Sequence, residues 1–292
     1  MAKKRFAIIT TETKTFTSKK LIEEAQNLGA EVEIINPLKS SLVIEKNSFT
    51  IFSKGKKVSP PNAAYRKTII TEKAKILEFF LWRAGAKIIN PWGKIPHHTK
   101  GKFGVYQLLV ENQIPVPKSF LLTNYKERDL CLDFFHHQFP LIIKTNAGTH
   151  GIGVILCESE TSFMSCTDYL LSKENELIVQ EFIKTSFGKD KRIIILNQKI
   201  LAAVERKNQK GDFRSNVFLG ADVFPTNLNS QEEKIALKTM AALGLNFGGL
   251  DMLYGEEGPV ITEVNAPCDY SFVEKTTGVP ISRAIVSFLL GV

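Results

Sequence analysis

A lysine and a group of glycines between two apolar segments are the first residues that suggest chemistry. Lys144 closes the apolar run LIIK, and the run VILC begins after a short loop. The loop contains three glycines, Gly148, Gly151 and Gly153. Strand-like residues follow them, which excludes a Walker loop and a dinucleotide fingerprint, because both lead into a helix. What remains is a strand, a glycine turn and a returning strand, which either holds a phosphate or is a turn without a ligand.

Hard oxygen donors recur in the last third of the chain. Asp251 lies in one predicted strand, and Glu263 and Asn265 lie in the next. Residues two apart share a face of a strand, and a turn over residues 255–259 would place Asp251 opposite Glu263. Such a set suits magnesium bridged to nucleotide phosphates. Acids on a solvated face are the alternative, but the strands GGLDML and VITEVNA are otherwise apolar, where unpaired carboxylates are costly.

Length and composition limit the class of protein. A chain of 292 residues is long for one domain and predicts two or three packed units. The formal net charge of +8 favours acidic small molecules, acidic peptides or nucleotides as partners. The lysines are scattered, so direct reading of nucleic acid is not expected. The four cysteines show no CxxC spacing and predict reduced thiols. No apolar run is long enough for a signal peptide or a membrane span, so we expect a cytoplasmic protein.

The elements that must position these residues follow from the hydrophobic periodicity. The first ninety residues alternate strand and helix, which predicts a small Rossmann-like α/β domain without a glycine fingerprint. The segment NPWGKIPHHTKGKFG is interrupted by prolines and glycines, which indicates a domain boundary. Beyond it, helices and strands precede and follow the glycine stretch. The last third reads as strands, a helix from about residue 231 to 243, the carboxylate hairpin and a C-terminal helix.

The lysine–glycine hairpin, the segment LIVQEFI and the carboxylate hairpin, in this order, resemble the ATP-grasp superfamily. The motifs KTNAGTHGIGV, VQEFIK, KDKR, GDFRSN, LDML, ITEVNA and EKTTG are most similar to RimK-like carboxylate–amine ligases of the alpha-L-glutamate ligase type. The resemblance covers the whole chain. It implies a pre-ATP-grasp α/β domain over residues 1–95, an N-terminal ATP-grasp subdomain with a glycine-rich lid over residues 96–180, and a C-terminal subdomain with the metal hairpin over residues 181–292. The two α+β subdomains would clasp ATP between them.

The resemblance also implies a role for individual residues. Around ATP it places Lys102, Lys144, Gly148, Thr149, Gly151, Gly153, Glu181, Phe182, Ile183, Asp190, Arg214, Ser215 and Asn216. Within this set the two lysines would contact phosphates, the glycine loop would close over them, and Asp190 would hold the ribose. Arg214 and Asn216 would be the catalytic residues beside the γ-phosphate. The metal ligands would be Asp251, Glu263 and Asn265, holding two magnesium ions, with manganese as an alternative.

The activity implied is ATP-dependent amide formation. ATP would convert a carboxylate to an acyl phosphate that the amine of an amino acid, expected to be glutamate, then attacks. Metal, lysine and arginine would balance the charge on the transferred phosphoryl group, and a glycine lid would exclude water. The acceptor is expected to be an acidic protein, peptide or small molecule, a protein C-terminus among them. A non-catalytic ATP-binding or ribosome-associated module, a small-molecule ligase of the glutathione-synthetase type and a kinase stay open, as does a dimer or tetramer.

Two departures from the family pattern concern the ATP site. An acidic residue usually precedes the first ATP-contacting lysine, whereas Gly101 precedes Lys102 here. Lys100 therefore competes with Lys102 for that role. His150 stands at a loop position where the family commonly has glutamine, and a solvated histidine is the simpler interpretation.

The substrate side is the least defined part of the pattern. The family's Ser-Pro-Gly after the metal-binding asparagine reads Ala-Pro-Cys here, so Cys268 and Asp269 lie where donor or acceptor should pass. Cys268 lacks an activating histidine and is not expected to be a nucleophile. Arg66 matches an arginine that can bind a substrate carboxylate, although a surface arginine is the simpler interpretation. Arg192, in the motif KDKR, is a further substrate candidate.

Overall fold

The computed structural model describes residues 3–67, 71–91, 101–146, 153–173 and 176–292. Four β-sheets with helices packed against them make up these parts of the chain. The mixed α/β and α+β class predicted from the periodicity is therefore confirmed. Within the same ranges, no helix combines the length and the apolar character that crossing a bilayer requires.

The first unit is built on a parallel sheet. Its elements are β1 (Arg5–Ile9), α1 (Phe16–Asn27), β2 (Glu31–Ile35), β3 (Ser40–Glu45), β4 (Ser48–Ser53), β5 (Lys56–Lys57), β6 (Ala63–Arg66), α2 (Glu72–Arg83) and β7 (Lys87–Ile88). The parallel sheet has the order β2-β1-β6-β7, and β3, β4 and β5 form a separate antiparallel sheet. Thr15 and Thr71 cap the two helices by accepting a hydrogen bond from a first-turn amide. Strands β3 and β6 were not predicted from the sequence.

The middle of the chain forms an antiparallel sheet that carries the glycine stretch. Its elements are α3 (Lys102–Glu111), β8 (Ser119–Leu122), α4 (Arg128–Phe134), β9 (Leu141–Thr145), β10 (Val154–Cys157), α5 (Glu160–Leu171) and β11 (Leu177–Glu181). The sheet order is β10-β9-β11-β8, and we call it the lid sheet. Strands β9 and β10 pair antiparallel, with Lys144 opposite Val154, which confirms the predicted strand–turn–strand arrangement. Helix α4 ends at Phe134, shortly before His136 and His137, which both adopt positive φ.

The last third forms a five-stranded antiparallel sheet of order β14-β13-β12-β15-β16. Its elements are β12 (Lys189–Leu196), β13 (Lys199–Lys207), β14 (Asp222–Pro225), α6 (Ser230–Ala242), β15 (Phe247–Gly255), β16 (Gly258–Asn265), α7 (Ser271–Thr277) and α8 (Ile281–Leu290). Asn229 and Glu232 form a capping box that starts α6. Strand β14 and helix α7 were not predicted.

Both faces of the five-stranded sheet are buried. On one face, Leu109 of α3 packs with Met240 of α6 in a shared apolar core. On the other face, α8 packs against α1, and Ile285 shares a core with Phe6 and Leu21 of the first unit. Helix α3 thus packs against the five-stranded sheet although the predicted division assigns it to residues 96–180. The three-part division stays a prediction.

The β15–β16 hairpin pairs two of the predicted metal ligands. Its turn takes only residues 256–257, so the predicted turn over 255–259 was wrong. A regular ladder from the shorter turn would place Asp251 opposite Thr262. A β-bulge directly after Asp251 shifts the register by one residue, and Asp251 pairs with Glu263 as predicted.

Candidate active site

A cleft between the lid sheet and the five-stranded sheet brings most of the predicted site residues together. Its empty volume is about 960 Å³, mouth included. The predicted residues that line it are Lys102, Lys144, Glu181, Phe182, Ile183, Asp190, Arg214, Ser215, Asn216, Asp251 and Glu263. These residues come from segments more than a hundred positions apart. The fold therefore assembles one polar site from motifs that the sequence shows only in succession.

The predicted glycine loop is described only at its end. Gly148, Thr149 and Gly151 lie outside the described residues, as does His150. Gly153 precedes β10 with a φ of +77°, in the left-handed region that favours glycine. A glycine is therefore required at the point where the chain turns back into β10.

Lys144 is held inside the cleft by a hydrogen-bonded chain. Its Nζ donates to the Tyr106 hydroxyl at 2.7 Å, and that hydroxyl donates to the Thr262 carbonyl oxygen at 2.6 Å. These hydrogen bonds join the lid sheet, α3 and the β15–β16 hairpin. Burial lowers the pKa of Lys144 from 10.5 to about 8, against the opposing effect of the Glu263 and Asp251 carboxylates. Tyr106 was not singled out from the sequence, where it looked like an ordinary helical core residue.

Lys102 lies at the first position of α3 beside the β15–β16 hairpin. Its Nζ is 3.6 Å from Oε1 of Glu263, and burial lowers its pKa. The residue before it explains one departure from the family pattern. Gly101 has a φ of +85°, and a Cβ there would lie 2.7 Å from the Asn146 amide nitrogen. An acidic side chain does not fit at this position, and the competing Lys100 lies outside the described residues.

Asp251 belongs to a buried network of two carboxylates and two guanidinium groups. Arg192 donates to both of its oxygens, at 2.9 Å from Nη2, and Arg206 Nη2 lies 3.1 Å from its Oδ2. Arg206 also donates to both oxygens of Asp190, at 2.8 Å from Nε. Burial opposes ionisation of Asp251, but the two arginines outweigh it and hold its pKa below the ordinary value. Arg206 was missed, although a charged residue within the apolar run ILAAVER was the available signal.

The donor set of the hairpin fits a hard divalent cation. Asp251 and Glu263 face each other across the hairpin, and Asn265 lies two residues beyond Glu263. The Asn265 amide nitrogen is buried and makes no hydrogen bond to a described residue. Oδ1 of Asp251 contacts one arginine and keeps a further lone pair, whereas Oδ2 lies against both Arg192 and Arg206. In the described ranges, no three His, Cys, Asp or Glu side chains form a metal cluster, so an amide would complete the set.

Part of the cleft wall is apolar and aromatic, with Phe182 and Phe213 among the residues that line it. The Phe182 ring is edge-on to Phe187 and Phe213, with centroid distances of 6.2 and 6.3 Å. The Glu181 carboxylate is turned back to the chain, where Oε1 accepts a hydrogen bond from the Lys118 amide at 2.7 Å. Backbone groups after β11 and aromatic rings therefore remain for a flat ligand. Phe187 and Phe213 were not predicted.

Arg214 is oriented by its neighbour in the same loop. Its Nη2 and Nε donate to the two carboxylate oxygens of Asp212, at 2.7 and 3.1 Å. These hydrogen bonds lower the pKa of Asp212. Ser215 is buried beside Arg214, and Asn216 begins a short turn at the cleft wall. The loop thus presents a fixed guanidinium to the cleft.

The predicted arginine ligands of a substrate are both buried. Arg66 is 6% exposed and forms an ion pair with Glu78, so its interpretation as a surface arginine was wrong. Burial is possible because its charge is paired. Its Nη1 is buried without a hydrogen bond to a described residue, and it lines a small separate cavity with Asn90 and Pro267. Arg192 lies behind Asp251 and is not among the residues that line the cleft.

Cys268 and Asp269 lie just after the metal hairpin, outside the residues that line the cleft. Cys268 is buried, and burial raises the pKa of its thiol to about 12. Asp269 is exposed, and its Oδ1 accepts a hydrogen bond from the Ser271 amide at 2.9 Å. The described geometry gives Cys268 no activating base, whereas the Asp269 side chain bonds to the backbone at the first residue of α7.

Comparison with protein families agrees with the geometry of the cleft. Residues 99–289 match the model of the RimK-like ATP-grasp domain, and residues 5–73 match the model of the RimK PreATP-grasp domain. Together the two models cover most of the chain.

Named relatives and solved structures match over nearly the full length. A probable alpha-L-glutamate ligase of Xanthomonas euvesicatoria pv. vesicatoria is 31% identical, covering 98% of this chain and 97% of the relative. The ribosomal protein bS6–L-glutamate ligase of Escherichia fergusonii is 29% identical, covering 98% and 95%. The structure of ATP-grasp ligase PsnB complexed with minimal precursor, Mg and ADP aligns with a TM-score of 0.77 at 15% identity, covering 100% and 98%.

Proposed function

This chain is a member of the RimK-like ATP-grasp family, and on that premise we propose that it is an ATP-dependent ligase that joins glutamate to a carboxylate through an amide bond. One observation supports the proposal most directly. Two lysines, an arginine and two carboxylates from five separate segments converge on one cleft between two sheets. A polyphosphate bound beside a divalent cation needs this set of charges.

The residues of the cleft suit phosphoryl transfer to a carboxylate. A substrate carboxylate oxygen attacks the γ-phosphorus of ATP, and ADP leaves. The ammonium groups of Lys102 and Lys144 neutralise phosphate charge, and Arg214, held by Asp212, stabilises the transferred phosphoryl group. The amine then attacks the acyl carbon, phosphate leaves, and the amine loses a proton as the amide forms. This reaction proceeds through the acyl phosphate of the substrate and needs no covalent intermediate between substrate and protein.

Asp251, Glu263 and Asn265 are proposed to hold magnesium, as two ions, with manganese as a substitute. When bound, the metal supplies charge neutralisation and alignment of the phosphates. The Arg192 and Arg206 side chains keep Asp251 ionised and fix the direction of its carboxylate. The chain's own contribution is therefore a carboxylate that is charged and oriented before the metal arrives.

The rest of the cleft is proposed to bind the nucleotide. The aromatic end, with Phe182 and the backbone of Glu181 and Ile183, suits adenine, and Asp190 suits the ribose. Gly148, Thr149, Gly151 and Gly153 are proposed to close over the phosphates. Ser215 and Asn216 lie beside Arg214, where the reacting groups meet.

The acceptor is proposed to be an acidic polypeptide, a protein C-terminus among the candidates. The net charge of +8 and the named substrate of the Escherichia fergusonii relative support this choice. Arg66, Arg192, Cys268 and Asp269 stay candidates for contact with substrate or for positioning it.

An ADP-release assay tests the proposal. Purified protein receives ATP, magnesium, glutamate and candidate acidic acceptors, and product mass is then measured. We expect ADP and phosphate release that requires both carboxylate and amine, and a hydroxamate when hydroxylamine replaces glutamate. ATP turnover that ignores every carboxylate would refute a ligase, and a stable phosphoproduct without an amide would indicate a kinase. ATP binding without any turnover would indicate a non-catalytic module.

A further inference from the structure

The small antiparallel sheet of the first unit carries an unusual concentration of positive charge. Residues 36–62 contain five lysines and a single acid, Glu45. Four of the lysines gather at one end of this sheet. We call this surface the basic end and define it by Lys39, Lys54, Lys56 and Lys57. Glu45 lies at the opposite end, beside the β3–β4 turn.

Strand register brings the backbone positions of these four lysines together, with Lys56 and Lys57 on opposite faces of β5. Ser40 of β3 pairs with Ser53 of β4, and Ser53 pairs with Lys56 of β5. Lys39 and Lys54 directly flank the first two of these residues. Because adjacent strands lie about 4.8 Å apart, the backbone positions of this end span about 10 Å. Lysines from all three strand ends therefore meet within a short stretch of surface.

The charge of the basic end is not neutralised by the fold. All four lysines are exposed, and none of their ammonium groups pairs with a carboxylate of a described residue. Elsewhere in the described chain many lysines and arginines do form ion pairs, for example Lys191 with Glu232. Unpaired like charges held in one place repel each other, so an anionic partner would lower their energy.

One face of the same sheet is left without a core. Leu42 and Ile51 point to the apolar core that contains α2. The alternating residues Val43, Thr50 and Phe52 point the other way, and Val43 is 39% exposed. A chain that binds the basic end can continue along this partly apolar face.

We propose that the basic end is a docking surface for an acidic polypeptide, the acceptor of the ligase, at a place separate from the catalytic cleft. This inference rests on the proposed function and adds the surface that selects its acceptor. Carboxylates on one side of an extended peptide repeat about every 7 Å, which matches lysines spread over about 10 Å. None of the four lysines lines the cleft. Tethering the acceptor in this way raises its effective concentration at the cleft.

Binding of a defined probe tests the surface. The probe is a fluorescein-labelled peptide of ten α-linked glutamates, followed by anisotropy at 50 mM NaCl. The test variant is the full chain with Lys39→Gln, Lys54→Gln, Lys56→Gln and Lys57→Gln. The matched control removes the same charge from four exposed lysines elsewhere, with Lys126→Gln, Lys173→Gln, Lys199→Gln and Lys234→Gln.

We expect the basic-end variant to bind the peptide about 30-fold more weakly, since each exposed ion pair contributes a few-fold to affinity. The affinity of the control variant for the peptide should fall by less than about threefold, because only its net charge has changed. Equal losses in both variants overturn the proposal, because general charge would then explain binding. Tighter binding of a ten-nucleotide single-stranded RNA through the same lysines also overturns it.

Kinetics separate this inference from the proposed function. With the ten-residue peptide as acceptor, the basic-end variant should raise KM about 30-fold at unchanged kcat, because docking and chemistry occur at different places. With the dipeptide Glu-Glu as acceptor, all three proteins should turn over alike. A fall in kcat with both acceptors overturns the docking role. If the wild-type protein releases no ADP, the proposed ligase activity is refuted. The comparison of peptide binding still tests whether the basic end is a docking surface.

Discussion

Replacing Tyr106 by Phe removes one oxygen from the cleft and isolates the ammonium of Lys144. The Tyr106 hydroxyl is the acceptor for Lys144 Nζ at 2.7 Å, and Lys144 is only 8% exposed. A hydrogen bond to a charged group contributes about 1.5–3 kcal/mol. Because 1.36 kcal/mol corresponds to one pKa step, Tyr106→Phe should lower the Lys144 pKa from about 8 by about 1 to 2.

The loss of charge follows from these values. At pH 7.5, a lysine with a pKa of about 8 is roughly three-quarters protonated, and one with a pKa of about 7 roughly one-quarter. The charged form is the one that attracts phosphate, so kcat/KM for ATP should fall by about 3- to 25-fold at this pH, depending on whether the pKa falls by 1 or by 2. Saturating ATP restores the charge by its own phosphates, so kcat should change less.

The assay is glutamate-dependent ADP release at limiting ATP from pH 6 to 9. In the wild type, kcat/KM for ATP should decline as pH rises through about 8, and in Tyr106→Phe the decline should begin about one pH step lower. Tyr125→Phe is the matched control, since this exposed hydroxyl bonds only to the Asp168 carbonyl. A decline at the same pH in the wild type and in Tyr106→Phe would refute the role given to the hydroxyl.

Three further outcomes follow from burial in and around the cleft. Lys144→Met should abolish ATP binding and raise the midpoint of thermal unfolding at pH 7. A pKa lowered from 10.5 to about 8 means that the charged lysine destabilises the fold by roughly 3 kcal/mol at this pH. A lower midpoint in the variant would contradict this reasoning. Asp251→Asn and Glu263→Gln should both abolish magnesium-dependent ADP release. In urea only Asp251→Asn should destabilise, by about 3–5 kcal/mol, since it leaves buried Arg192 without its counter-charge; equal effects would count against the network. Cys268→Ala should keep kcat/KM within about threefold of wild type, because a thiol with a pKa of about 12 carries no thiolate at neutral pH. A large loss that Cys268→Ser restores would show otherwise.

Local patterns in the sequence were sufficient to find the strands that carry the chemistry. Apolar runs on both sides of a glycine stretch predict an antiparallel pair, and β9 and β10 form one. The alternation of VITEVNA predicts that Glu263 and Asn265 share a face. Long periodic segments such as α6 were also predicted within one or two residues. These features depend on near neighbours, which a sequence displays directly.

Features that depend on distant partners were not predictable from one sequence. Strand β6 is only four residues long, and it becomes a strand because it pairs in parallel with β1, nearly sixty residues earlier. The bulge after Asp251 depends on how β15 and β16 meet. Its one-residue register shift compensates for the turn being shorter than predicted, so Asp251 still pairs with Glu263. The close approach of the Asn146 side chain to Gly101 joins residues more than forty positions apart. The pairing of Arg206 with Asp190 is likewise visible only in three dimensions.

The packing of α8 on α1 has a consequence for the order of folding during synthesis. The core around Phe6 and Leu21 is completed by Ile285 and Leu289, which the ribosome adds more than 250 residues later. Domains generally fold as units while the chain emerges. Part of the apolar surface of the first sheet therefore stays uncovered until α8 has been synthesised and has left the exit tunnel. A transient need for a chaperone during synthesis would fall on this first segment.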